Sequence, residues 1–187
     1  MRRLKIGIDI DGVLADIVRP MLPLLARECG RAVTHEDIIC YSFREALNIP
    51  EERVAALMEE VVAAGYFEAA PPVAGAVEAM VLLRHHRIWL VTSRPERVRN
   101  ETIRWLARHG VPYHELLFKP ATAKAANGDG FDLFVEDNLD TALVLSGEGI
   151  PVLLFDWPWN QHPTLPDNVQ RVRDWQEILS AVERRAN

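Results

Sequence analysis

The sequence predicts an α/β protein: a doubly wound, Rossmann-like parallel sheet with a small helical cap inserted after its first strand. Three observations predict it. Five short apolar runs alternate with helical patterns, as parallel strands buried on both faces do. Acidic residues end two of those runs, at the carboxyl edge where open α/β sheets bind ligands. The stretch between the first and second runs also far exceeds the dozen or so residues that a crossover between parallel strands needs.

The elements follow in order. Lys5–Ile10 is the first strand, running into Asp9, Asp11 and Gly12. Ile17–Cys29 reads as a helix, Thr34-His35-Glu36-Asp37 as a second helix start, and Pro50–Ala64 as a third helix stopped by Gly65. Pro71-Pro72 precedes a crossover helix, Val73–His86, with Val77, Met80, Val81 and Leu83 on one face. Ile88–Thr92 is the second strand. Ser93-Arg94-Pro95-Glu96 has the pattern of a capping box with proline in the first turn, starting a helix that ends at Gly110. Leu116–Phe118 and Phe131–Glu136 are the third and fourth strands. Helix Asn138–Ser146 stops at Gly147 and Gly149, Val152–Phe155 is the fifth strand, and helix Trp175–Arg184 closes the chain. The expected division is a catalytic core of residues 1–15 and 73–187 and a helical cap of residues 16–72.

Composition narrows the function. The 187 residues are 49% hydrophobic and 26% charged, values that exclude disorder, collagen and coiled coil. No apolar run approaches the roughly 20 residues that span a bilayer. The basic start is cut by Asp9 and Asp11, whereas a secretory signal needs about 7–15 uninterrupted apolar residues. Cys29 and Cys40 are read as free, small buried hydrophobes rather than a disulfide framework. A soluble cytoplasmic protein is expected. A net charge of -6 argues against a nucleic-acid partner, and nothing indicates a membrane partner. Only Lys5, Lys119 and Lys124 are lysines among 21 cationic side chains, so a lysine near the acids carries weight.

Asp9 and Asp11, two residues apart at a strand end, point the same way. A turn explains Asp11-Gly12 but leaves Asp9 in a buried strand without purpose. Glu136 and Asp137 end the fourth strand, where capping by Asp137 or Asn138 is the alternative. Together these strand ends bring up to four carboxylates to one place. Like charges about 4 Å apart cost roughly 4 kcal/mol per pair at an effective dielectric near 20, so the cluster calls for a cation. An all-oxygen donor set favours Mg²⁺ over zinc. Thr92 and Ser93, with the free N–H groups of a helix start, suit a phosphate oxygen, and Lys119 or Lys124 can neutralise its charge.

The series DxDG, Thr-Ser, Lys and Glu-Asp, in that order on alternating β/α elements, resembles the haloacid dehalogenase-like superfamily of aspartyl phosphotransferases. The stretches DIDGVLAD (9–16), GYFEAAPPVAGAV (65–77), VTSRPERVRNETIRWL (91–106), DLFVEDN (132–138) and LLFDWPWNQ (153–161) resemble the 5′(3′)-deoxyribonucleotidases and their bacterial nucleotidase relatives. The resemblance implies a Mg²⁺-dependent phosphomonoesterase acting on nucleoside monophosphates. It implies Asp9 as nucleophile and Asp11 as acid and then base. Mg²⁺ would be held by Asp9, the Asp11 carbonyl and Asp137, with Glu136 behind it; Thr92, Ser93 and Lys124 would hold phosphate, with Lys119 the reserve. Ile17 departs from that group, which tends to carry an aromatic there. A phosphatase for a sugar phosphate and a phospho-ligand-binding module without catalysis remain the alternatives. The six histidines show no metal-ligand spacing. Tyr41 and Phe43 are read as cap core, Trp157 and Trp159 as loop packing, and Arg94 and Arg97 as solvated helix-start residues.

Overall fold

In the computed structural model, which describes residues 2–124, 130–162 and 164–187, six strands form one parallel sheet. They are β1 (Lys5–Ile8), β2 (Arg87–Thr92), β3 (Glu115–Phe118), β4 (Leu133–Glu136), β5 (Val152–Phe155) and β6 (Val169–Val172). Their order is β3-β2-β1-β4-β5-β6. The chain runs outward one way from β1 and then restarts at β4 on its other side. The topological switch point, where such sheets bind ligands, therefore lies between the ends of β1 and β4.

The predicted fold class holds, with one strand more than the sequence predicts. β6 is an edge strand of Val169, Gln170, Arg171 and Val172, and only its two valines are buried. It carries too little apolar residue for a doubly buried strand to be read from sequence. Gly7 is required at the centre of the sheet. A Cβ there would lie 2.3 Å from Cδ2 of Phe134 on β4, whose ring occupies that space.

Both sheet faces are covered. α5 (Ala76–Leu83), α6 (Arg99–Arg108) and α8 (Trp175–Ala186) bury Met80, Leu83, Trp105, Trp175 and Ile178 with Ile6 and Ile8. α7 (Leu139–Gly147) buries Ala142 and Leu145 with Phe134, Val152 and Leu154. The long insert supplies α1 (Val18–Cys29), α2 (Phe43–Leu47), α3 (Glu51–Ala63) and α4 (Tyr66–Ala69). Its apolar residues gather in a separate cluster that includes Met21, Leu25, Leu57, Val61 and Phe67, joined by Val98 and Trp159 from outside the insert.

Several local expectations shift. Thr34 does form its reciprocal cap with Asp37, but only one 3₁₀ turn follows, His35–Asp37. Gly75, in the left-handed region, delays the crossover helix to Ala76. The box expected at Ser93 does not form. Pro95 is extended without a side-chain cap, a 3₁₀ turn covers Glu96–Val98, and α6 starts at Arg99. Here the Thr92 hydroxyl, not Ser93, takes the Arg94 N–H at 3.1 Å. The helix expected to lead from Lys124 into the fourth strand would occupy 125–129, outside the described residues. The two cysteines are free and half-buried rather than fully buried.

Candidate active site

The site is assembled by the ends of β1 and β4. Asp9 directly follows β1, and its N–H still donates to the Val135 carbonyl at 3.0 Å, so the ladder carries its carboxylate to the sheet edge. The chain then folds back, with the N–H groups of Leu14 and Ala15 both donating to the Ile10 carbonyl at 2.8 Å. Gly12 takes φ 76° in this turn. A Cβ at that position would sit 2.1 Å from Oδ2 of Asp137, so its glycine is demanded by the close approach of an acid as well as by the turn.

Three carboxylates meet there: Asp9, Glu136 and Asp137 each offer an oxygen within 4.8 Å of the others, and all three are buried. Lys124 lies among them, 2% exposed, with Nζ 2.8 Å from Asp9 Oδ1 and 2.9 Å from Glu136 Oε2. Of the two candidate lysines, Lys124 thus enters the cluster. Lys119 follows β3, where its backbone N–H donates to the Thr92 carbonyl. Glu136 is anchored further, its Oε1 accepting the N–H groups of Asp137 and Asn138 at 3.2 Å. Its carboxylate is thereby occupied in holding Lys124 and starting α7.

Asp11 stands apart from the acids expected to converge. Its two oxygens pair with Arg94 at 2.7 and 2.9 Å. Thr92 is fully buried at the end of β2, and its Oγ1 accepts from Arg94, which leaves the hydroxyl proton to donate elsewhere. Ser93 is exposed and lines the cavity above. That cavity, about 350 Å³, is bounded by Asp9, Asp11, Ser93, Arg94 and Asp137 and by an apolar wall of Ile17, Met21, Ile38, Val54, Met58 and Phe67. Tyr41 and Phe43, expected in the core of the insert, line it as well, and Tyr41 is 58% exposed.

Charge explains the titration behaviour. Burial, reinforced by the Glu136 and Asp11 charges and opposed by Lys124, pushes Asp9 from its ordinary 3.8 up to about 7. Asp137 is raised as well, by burial and then by Glu136 and Asp9. For Lys124, burial works against its charge, but Asp9 and Glu136 outweigh it and hold the ammonium above its ordinary range. Among the described residues, three buried acids against one buried cation leave the cluster an excess of negative charge. The donor set fits a divalent ion. Asp137 Oδ1 is buried without a hydrogen-bond partner among the described residues, whereas its Oδ2 accepts from Trp159 Nε1 at 2.9 Å.

The loop after β5 completes the site. Trp157 Nε1 donates to the Gly12 carbonyl at 2.7 Å, Asn160 Nδ2 to the Asp137 carbonyl at 2.7 Å, and the two indoles stack with centroids 4.7 Å apart. Sequence reasoning took these tryptophans as loop packing. The available signal was that an indole N–H at the carboxyl edge of the sheet needs an acceptor, and acids and carbonyls are what that edge offers.

The parallel sheet, the acids at its switch point and the helical insert after β1 give the haloacid dehalogenase-like fold. Solved structures share the whole architecture. A haloacid dehalogenase-like hydrolase of Streptococcus pneumoniae superimposes with a TM-score of 0.68 at 13% identity, covering 96% of this chain and 98% of that one. A HAD family hydrolase of Deinococcus radiodurans, solved with phosphate and sodium, gives 0.65 at 12% identity over 98% of this chain and 96% of that one. Sequence goes further than fold. Residues 2–186 match the family described as 5′ nucleotidase, deoxy (pyrimidine), cytosolic type C protein, and the chain belongs to it. A nucleotidase of Clostridium acetobutylicum is 31% identical over 191 residues, covering 98% of this chain and 96% of the relative. The protein is a phosphatase of the nucleotidase class. None of the helices among the described residues is long and apolar enough to cross a membrane.

Proposed function

We propose that the chain is a Mg²⁺-dependent 5′-nucleotidase that hydrolyses (deoxy)nucleoside monophosphates through a phosphorylated Asp9. The observation that supports this most directly is the meeting of Asp9, the unpartnered Asp137 Oδ1 and Lys124 beneath an apolar cavity. The cytosolic description of the family supports a cytoplasmic setting. Residues 16–72 act in this reading as a cap over residues 1–15 and 73–187.

Asp9 and Asp137, with the Asp11 carbonyl, would hold the ion, which would draw negative charge from the phosphoryl oxygens. Asp9 attacks phosphorus, forming an acyl phosphate as the ester P–O bond breaks. Asp11 gives a proton to the departing alkoxide, then takes one from the water that attacks phosphorus and frees Asp9 and inorganic phosphate. Lys124 offsets the charge on Asp9, with Glu136 holding the ammonium in place. The Thr92 hydroxyl and Ser93 donate to phosphoryl oxygens. The apolar wall favours a nucleoside over a sugar, whose hydroxyls would lose their water there without replacement.

Phosphate release should be measured with Mg²⁺ across nucleoside 5′- and 3′-monophosphates and sugar phosphates. A clear preference for nucleotides is expected; equal turnover of sugar phosphates would overturn the substrate assignment. No release from any phosphomonoester would overturn the mechanism.

A further inference from the structure

Arg94 is 4% exposed, although its place before a helix made a solvated side chain the simple expectation. Its fork is occupied on every side. Nη2 and Nε donate to Asp11 Oδ1 and Oδ2 at 2.7 and 2.9 Å, a bidentate pair. Nη1 donates to Thr102 Oγ1 of α6 at 3.1 Å and to the Phe67 carbonyl of α4 at 3.3 Å. The Phe67 ring centre lies 4.9 Å from the guanidinium carbon. Thr102 spends its own proton on the Val98 carbonyl at 3.0 Å, so toward Arg94 it only accepts. A planar guanidinium fixed at both ends has a single orientation, and the carboxylate it grips inherits that orientation.

The consequence concerns which acids gather. With Lys124 already shared by Asp9 and Glu136, a free Asp11 carboxylate would find no cation of its own in the cluster. Arg94 supplies one, and it sits on the β2 side, away from β4. Resting on the reading of Asp11 as proton donor, we propose that Arg94 is a positioning residue: it holds Asp11 apart from the metal-binding acids and aims it at the leaving oxygen, with α6 and α4 together as its second anchor. Paired to Arg94 through both oxygens, Asp11 rests as an acceptor, so it first takes up the proton of a singly protonated substrate phosphoryl oxygen and passes it to the alkoxide as the ester bond breaks; Arg94 itself exchanges none.

The test uses leaving groups. A nucleoside 5′-monophosphate expels an alkoxide that needs a proton, whereas p-nitrophenyl phosphate expels a phenolate that does not. Because kcat/KM reports steps only up to phosphorylation of Asp9, it isolates the acid step. Asp11→Asn should lose about 10²–10⁴-fold in kcat/KM on the nucleotide and far less on the aryl ester. Arg94→Lys, which keeps the charge but not the fork, should follow the same pattern, losing about 10–100-fold on the nucleotide and under about threefold on the aryl ester. Equal losses on both esters, or no loss on either, would overturn the proposal. If Arg94→Lys does not fold, Thr102→Val removes the α6 half of the outer anchor, leaving the Phe67 carbonyl, and must tilt the two substrates in the same direction; no tilt overturns the proposal equally. If wild type is active but Asp11→Asn shows no tilt, the acid role of Asp11 falls and takes this proposal with it, an outcome distinct from failure of Arg94 alone.

Discussion

In the absence of a divalent ion the protein should become less stable as pH rises, the reverse of what paired surface carboxylates do. Asp9 is pushed from 3.8 to about 7 in the fold, chiefly by burial. Between those values the folded chain keeps a proton that the unfolded chain releases, so unfolding becomes more favourable with each pH step. The stabilising protonated form is fully present below about pH 4 and lost as pH passes 7. Three pH units at about 1.4 kcal/mol each set a ceiling of about 4 kcal/mol for Asp9, and relaxation of the site brings the expected loss to about 2–4 kcal/mol. Asp137, raised by the same burial and by its neighbours, acts in the same direction. For a chain of this length 1 kcal/mol moves Tm by about 2–4 °C, so the metal-free protein should lose roughly 4–16 °C.

Mg²⁺ should reverse the trend. It binds the ionised acids and therefore competes with protons, so its effect grows with pH. At a concentration about 100 times Kd it adds about 2.7 kcal/mol at neutral pH and little at pH 5. Thermal melts from pH 4 to 8, in EDTA and in Mg²⁺, measure both effects. A metal-free Tm that is flat or rises with pH, or a Mg²⁺ shift as large at pH 5 as at pH 8, would refute the charge argument and the metal site with it.

Other outcomes follow from the same geometry. Asp9→Asn should reduce turnover by at least about 10³-fold while raising the metal-free Tm at pH 8, because it removes the charge that burial opposes; activity assays and melts check both halves. Gly12→Ala should cost about 1–2 kcal/mol for its left-handed φ and push Asp137 aside, weakening Mg²⁺ binding; the Mg²⁺-dependent Tm shift should shrink relative to wild type. Trp159→Phe keeps the ring but leaves Asp137 Oδ2 without its donor, and metal affinity should fall about 10–100-fold by titration calorimetry.

Much of this was legible in the sequence because it depended on the chain's local pattern. Strands buried on both faces must be apolar runs, and acids that end such runs must reach the sheet edge, so Asp9, Glu136 and Asp137 could be placed before any coordinates. β6 was not legible, since an edge strand with polar Gln170 and Arg171 between its two valines looks like loop. The capping box at Ser93 was misread because local propensity competes with a tertiary demand: Arg94 is drawn inward to Asp11, and the chain stays extended through Pro95. Arg94, Trp157 and Trp159 were assigned bland roles for a related reason. Their partners Asp11, Gly12 and Asp137 are 83, 145 and 22 residues away in sequence, and no periodicity encodes such pairs.

Arg94 and Trp159 share one physical role, which explains why the site needs more than its acids. Carboxylates at a switch point repel one another and, left to themselves, would rotate toward water. Each is instead fixed by a donor from another element: Asp9 by Lys124, Glu136 by Lys124 and the start of α7, Asp137 by Trp159, and Asp11 by Arg94. Such fixing leaves Asp137 Oδ1 exposed to the cluster and unpaired, a cost that an ion would offset on binding. The donors differ in kind. The neutral indole orients Asp137 without cancelling its charge, which a metal ligand must keep. Arg94 brings a full charge to Asp11, the acid kept out of the cluster. An exchange of these two donors, with a cation beside Asp137, would balance the cluster without metal and remove the reason for an ion to bind.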